Sequence, residues 1–373
     1  VRPHARIQPA LAAHDSFWGR HGGLLAVALV AVLSFYVRSW EGDLRGDPVH
    51  YAAIARTMVS TGDWLDLQDA PGVPYANKPP LMFWLVALNF KLFGVSVYAA
   101  RFWSCAFGVG FCVLTYLVGR RFFGETAGLL AGMMMAVFPG ALWNVTNLRL
   151  DSAVVFFSLL AVYGAVRAVQ DERPRWLLLP GLAAGLGAMV KPSSALHIAL
   201  FCGLLLAVRR PRLLIHPYVA GAVALAAAIA VPWHAAMVAR HGREFAAQYF
   251  GDWHLPVAAG GADAAAAGYL AGPVEHRPLG DGNVLRHLFD YLLGLSWRAL
   301  PWWPLAVYAL VRRRRAGSEE RAWMLVAVLW FLSVLVPMSL PPRIYHRYMI
   351  PAYPAIALLA GWGLRSLLSV RAR

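Results

Sequence analysis

Charged residues are scarce in this 373-residue chain, at 14%, where average soluble domains carry about 25%. With 59% hydrophobic residues and a mean hydropathy of +0.54, that deficit excludes a soluble globular protein. Cysteine is rarer still. Cys105, Cys112 and Cys202 all fall inside apolar runs, which excludes a disulfide framework and lacks the clustered spacing of a zinc site. No glycine-rich phosphate loop and no GxSxG element occurs, so neither nucleotide chemistry nor a serine hydrolase is indicated. Among 34 basic residues only Lys78, Lys91 and Lys191 are lysines. The first 22 residues are mixed and polar, without the short apolar core and small-residue cleavage site of a signal peptide. The first apolar run is therefore expected to stay as an anchor.

What the chain has in quantity is membrane-length apolar sequence. A transmembrane helix needs about 20 largely apolar residues. Ten runs approach that length: 23–40, 99–119, 125–144, 150–169, 175–190, 194–208, 213–233, 292–311, 322–340 and 348–368. The pattern predicts an all-α polytopic membrane protein, with a cytoplasmic segment 1–22 and one transmembrane domain over 23–369. The runs 175–190 and 194–208 are short enough to form a hairpin that does not fully cross. The long outer loops are 41–98 and 234–291. Within the first, residues 48–60 and 80–94 have the spacing of helices lying at the interface.

Lysine and arginine bias sets the orientation. With the N-terminus inside, inner segments hold 19 basic and 6 acidic residues, and outer segments 15 and 13. Both termini are expected in the cytoplasm. The net charge of +15 then reads as topology and contact with anionic lipid, with no nucleic-acid partner.

On this topology the unusual polar residues share the outer face. Asp47 follows the first span, and Lys78 sits in Tyr75-Ala76-Asn77-Lys78-Pro79-Pro80, where the prolines keep the backbone extended. Arg149 and Asp151 stand at the mouth of the fourth span, Lys191 interrupts an apolar stretch, and Tyr345 to Tyr348 precede the last span. Charges at a membrane edge are costly and count as functional candidates. Snorkelling would account for Arg149 and Lys78, and a helix cap would account for Asp151. His50, His234, His254, His276, His287 and His346 also lie outside, without an HExxH or a close pair; no cofactor is required, and a divalent metal stays open. Residues 258–272, mostly alanine and glycine, have the composition of a lid or a tolerated insertion.

Four features occur in order: the first-loop Asp47, the Tyr-x-x-Lys-Pro-Pro-Leu-x-x-Trp stretch at 75–84, Arg149-x-Asp151, and Arg-Tyr-x-x-Pro-x-x-Pro-Ala at 347–355. Together they resemble the aminoarabinose transferase and protein mannosyltransferase superfamily, C-type glycosyltransferases that use polyprenyl-phosphate sugars. The resemblance covers residues 24 to 365. It implies a GT-C-type transmembrane bundle at a bacterial inner (plasma) membrane, with the site facing the periplasm or exterior. It implies Asp47 and Asp151 as the catalytic acids. Lys78, Tyr75, Tyr348, Arg149 and Lys191 would serve the donor phosphate. The expected partners are a polyprenyl-phosphate-linked sugar, a lipid, glycan or protein acceptor, and membrane lipids. Three departures bear on the substrate. Pro48 stands where the family usually has Glu, and relatives that modify lipid A often have Arg at His50 and Glu at Asn77.

The chemistry also stands on the residues. A polyprenyl phosphate leaves readily if cations such as Lys78, with Arg243 or Arg277, offset its growing charge. Asp47 is suited to accept a proton from an acceptor hydroxyl, or to orient an acceptor that is already ionised. Rival readings are a flippase for a lipid-linked sugar and a structural membrane subunit. The sequence has neither the repeated halves nor the broken midplane helices common in transporters.

Overall fold

The computed structural model describes residues 17–40, 42–246, 249, 284–340 and 345–371. The 258–272 segment, Arg277 and Arg343 lie outside them. Fourteen α-helices run through the described residues. α1 (Phe17–Val32) continues through a π-helical turn at Leu33–Val37 and a 3-10 turn at Arg38–Trp40. The first outer segment holds α2 (Asp47–Thr61), a two-stranded antiparallel ladder of β1 (Gln68–Ala70) and β2 (Val73–Pro74), and α3 (Leu81–Phe93). There follow α4 (Val97–Phe123), α5 (Glu125–Ala136), α6 (Pro139–Val145), α7 (Asp151–Gln170), α8 (Leu178–Ala188), α9 (Ser193–Arg209) and α10 (Pro217–Ala246). The last four are α11 (Val284–Arg298), α12 (Trp302–Val311), α13 (Ser318–Ser339) and α14 (Tyr353–Arg371).

The apolar runs all fold as helix, but not all as single spans. Five described helices are long and apolar enough to cross a membrane: His21–Trp40, Val97–Phe123, Asp151–Gln170, Pro217–Arg243 and Ser318–Ser339. α5 and α6 meet at 54° and make a sixth if counted together. The run 292–311 is divided between α11 and α12, because Pro301 has no N–H with which to continue a helix. The stretch after residue 233 is helical rather than loop as far as Ala246, with a kink at Gly242, whose φ of +54° lies outside the helical range. The hairpin at 68–74 is the one strand pair among the described residues. It closes where Gly72 adopts φ +82°, and the Gln68 side chain accepts the Gly72 N–H at 2.9 Å.

Small residues bring the central helices together. A Cβ added to Gly128 of α5 would lie 2.4 Å from the Arg120 nitrogen, and one on Gly361 of α14 would lie 2.5 Å from the Ala127 carbonyl. In a membrane, where water does not drive helices together, such backbone approach carries much of the packing. Gly128→Val is expected to lower the melting temperature in detergent, since overpacking a tight core costs about 1–3 kcal/mol or more. Gly203→Ala, where an added Cβ would meet no atom within 4 Å beyond its own helix backbone, is the control and should leave it unchanged or higher.

The first outer segment is fastened down at several points. Trp84 Nε1 donates to the Trp64 carbonyl at 2.6 Å, and Trp233 Nε1 of α10 donates to the Leu65 carbonyl at 3.1 Å. Arg240 and His241 both meet the Asp66 carboxylate, at 3.1 and 2.9 Å. His50 of α2 lies 3.2 Å from Asp69. At the start of α3, the Leu81 N–H, one of the orphan donors of a helix N-terminus, donates to the Met189 carbonyl at 3.0 Å. That bond ties the stretch carrying Lys78 to the turn carrying Lys191.

Candidate functional site

Asp47 opens α2. Gly46, at φ +67°, makes the turn into the helix, and Pro48 occupies its first turn, where a missing N–H costs nothing. The carboxylate does not stand free in solvent. Arg149 Nη1 donates to Asp47 Oδ2 at 3.3 Å, and Arg347 Nη1 donates to the same oxygen at 3.2 Å. Arg149 is further held by the face of Trp143, 4.9 Å away, and its Nε is buried without a hydrogen-bond partner.

Asp151 begins α7, where a carboxylate is favoured by the helix dipole. Its Oδ1 accepts from Lys191 Nζ at 3.4 Å. The Lys191 ammonium also lies 4.4 Å from the centroid of the Tyr348 ring. These are not surface salt bridges. The Arg149, Asp151 and Lys191 side chains are 11%, 13% and 22% exposed. Their pairing therefore matters more than that of solvated ions, because an unpaired charge there would be strongly destabilising.

Lys78 is different. Its Nζ donates to the Asn77 carbonyl and to Asn77 Oδ1, both at 3.1 Å, and among the described residues no carboxylate forms an ion pair with it. Burial, and then the nearby Lys191, pull its pKa down to about 7; Asp47 and Asp151 only partly oppose this. Arg347 moves the other way. Burial disfavours its charge, but Tyr348, Asp151, Asp47 and Tyr51 outweigh it and hold the guanidinium above its usual range. Tyr51, one helical turn beyond Asp47, has its phenol pushed well up by burial and by the Asp47 charge. Tyr75 is buried, with its ring edge-on to Phe83 at 5.8 Å.

Six of the seven residues singled out in the sequence thus converge. Asp47, Lys78, Arg149, Asp151, Lys191 and Tyr348 are linked by direct contact or by charge, and Tyr75 packs its ring against Phe83. The structure places Arg149 and Lys191 on the two carboxylates. It also adds Arg347, whose signal in the sequence was its place in the Arg-Tyr-x-x-Pro run. Arg243 is exposed, and among the described residues it makes no hydrogen bond or ion pair with this cluster. Among the described residues no three His, Cys, Asp or Glu side chains group to hold a metal ion. Two carboxylates and three fixed cations leave one positive charge in excess, or two when Lys78 is protonated. That net charge would attract an anion.

Comparison with known proteins points the same way. Residues 77–234 match the family model of dolichyl-phosphate-mannose-protein mannosyltransferases. The undecaprenyl phosphate-alpha-4-amino-4-deoxy-L-arabinose arabinosyl transferase of Pseudomonas aeruginosa is 30% identical over 328 residues, covering 85% of this chain and 55% of its own. A similar transferase of Pseudomonas fluorescens is 28% identical over 373 residues, covering 96% and 59%. The crystal structure of ArnT from Cupriavidus metallidurans bound to undecaprenyl phosphate matches with a TM-score of 0.75 at 20% identity, over 93% of this chain and 60% of that one. The chain thus spans somewhat more than half the length of these relatives.

Proposed function

Because the chain belongs to the membrane glycosyltransferase superfamily of protein mannosyltransferases and aminoarabinose transferases, we propose that it transfers a sugar from a polyprenyl-phosphate donor. The acceptor is a lipid, glycan or protein hydroxyl or phosphate at the outer face of the membrane. One observation carries this reading most: among the described residues, a carboxylate keeps one oxygen unbonded near a half-buried lysine that has no ion pair, in a cluster with excess positive charge.

In this reading the donor phosphodiester lies against Lys78, with Lys191 and the spare N–H of Arg149 nearby. The acceptor oxygen attacks the anomeric carbon, and the bond from that carbon to the phosphate oxygen breaks. The electron pair leaves with the polyprenyl phosphate, whose charge rises by one. Cations already in place stabilise that added charge without reorganising, which is the main source of rate in such sites. A hydroxyl acceptor gives its proton to Asp47; a phosphate acceptor has none to give and is oriented by the same group. Asp151, held by Lys191, sits close enough to influence Lys78 and orders the acceptor side. The step proposed here invokes no cofactor, and a divalent metal stays open. The lysine and arginine bias supports this face lying outside with both termini inside, and the bacterial relatives support a bacterial inner membrane, with the face toward the periplasm.

The test is incubation of the purified protein, in vesicles, with a labelled polyprenyl-phosphate sugar and envelope lipids. Covalent transfer of label to an acceptor is expected. Movement of the labelled donor between leaflets without transfer would make the protein a flippase and overturn the proposal.

A further inference from the structure

We propose that Arg347 and Tyr348 are positioning residues that form a strut between the two carboxylates, an inference that rests on the site reading above. One end of the strut is at Asp47, where Arg347 and Arg149 both donate to Oδ2. The described residues give Oδ1 no hydrogen bond, so Oδ1 is the oxygen left to receive an acceptor's proton. Removing either guanidinium frees the carboxylate to rotate and exchange its two oxygens.

The other end runs through the Tyr348 ring. The Lys191 ammonium that bonds Asp151 lies 4.4 Å from that ring's centroid, and the Arg347 guanidinium lies 5.8 Å from it. Two cations that repel each other are thus both placed against one aromatic ring, each carrying a carboxylate. An aromatic face attracts cations most when the pair is dehydrated. The strut is rooted in the 3-10 turn His346–Ala352, whose Met349, Ile350, Pro351 and Ala352 are all buried and which leads directly into α14. Its backbone has little freedom to drift. Both cations meet Tyr348 through its ring.

The experiment measures turnover at saturating donor, and donor Kd, for four variants of the full chain. Arg347→Ala should lower kcat about 10- to 100-fold, the scale of an ångström of misplacement at a reacting group, with donor Kd within about threefold of wild type. Arg347→Lys should fall between, because it keeps the charge but not the planar fork. Tyr348→Leu should lower kcat to a similar degree, and Tyr348→Phe, which keeps the ring, should recover most of it. Loss of donor affinity in Tyr348→Phe equal to that in Tyr348→Leu would assign the hydroxyl to the phosphate and overturn the strut. Wild-type turnover in Arg347→Lys or Arg347→Ala would do the same, and the lysine variant decides if the alanine variant does not fold. Asp47→Asn, run in parallel, separates the two levels: full activity there sinks the site reading itself. An inactive Asp47→Asn beside a fully active Arg347→Ala sinks only the strut.

Discussion

Asp47→Asn should lower turnover by about 10²–10⁴-fold, the range supplied by a positioned acid or base, while the protein still folds and binds donor. Asparagine keeps the shape of the side chain and one oxygen for the two arginines. It removes the negative charge and the basic Oδ1. The fold should tolerate this, because Asp47 lies at a helix start and its side chain remains about one-third exposed. Donor affinity should hold or rise, since the cluster becomes more positive by one charge. Asp151→Asn is the comparison. It releases Lys191 from its partner but leaves Oδ1 of Asp47 in place, so its effect should be smaller and should be felt in acceptor KM. Wild-type turnover in Asp47→Asn, measured by transfer of labelled sugar, would remove Asp47 from the chemistry. A larger loss in Asp151→Asn would exchange the roles of the two acids.

Donor affinity should weaken as pH rises above about 7, and Lys78→Ala should both abolish that dependence and weaken binding. The direction follows from the protonation state that binds. Burial and Lys191 hold the free lysine's pKa at about 7, below its usual range, so above that pH most molecules carry neutral Lys78. A phosphodiester binds the ammonium form, and its negative charge raises the lysine's pKa in the complex. Binding therefore takes up a proton, and affinity falls by up to about tenfold per pH unit between the free and bound pKa values. A phosphodiester has no ionisation of its own in that range, so a donor carrying a neutral sugar leaves Lys78 as the reporter. A charge-assisted hydrogen bond is worth about 1.5–3 kcal/mol, so Lys78→Ala should cost roughly 10- to 150-fold at pH 6. Lys78→Arg should bind without the pH slope, because arginine stays charged throughout. Equilibrium binding of the donor from pH 6 to 9 decides it. A slope that survives in Lys78→Ala would place the titrating group elsewhere.

The two lysines and two aspartates of this site were legible because charge is conspicuous in an apolar chain. A carboxylate just past a membrane-length run, or a lysine between prolines, has few neighbours to be confused with. The overall fold was legible for the same reason: a period near 3.6 and a length near 20 leave little choice of element. What the sequence hid were pairings. Arg149 and Arg347 are arginines at span ends, indistinguishable there from snorkelling side chains, and only the bundle brings both onto Asp47. Lys191 was expected at the phosphate, and its bond to Asp151 depends on how α7 meets the turn after α8. The breaks inside apolar runs were hidden too. The bend between α5 and α6 and the division of α11 from α12 are set by Pro139 and Pro301, which hydropathy averages away. The hairpin at 68–74 is too short to leave an alternating pattern.

The bond between Asp47 and Arg347 joins residues separated by 300 positions. A chain emerging from the ribosome at about 5–20 residues per second therefore delivers its first acid many seconds before the arginine that fixes it. Through that interval Asp47, Lys78, Arg149 and Asp151 can be in the membrane together, but the carboxylate lacks one of its two holds. Competence should arrive abruptly, with the turn that leads into α14. A growing chain that meets a lipid-linked sugar before then has the means to hold it without yet having the means to spend it.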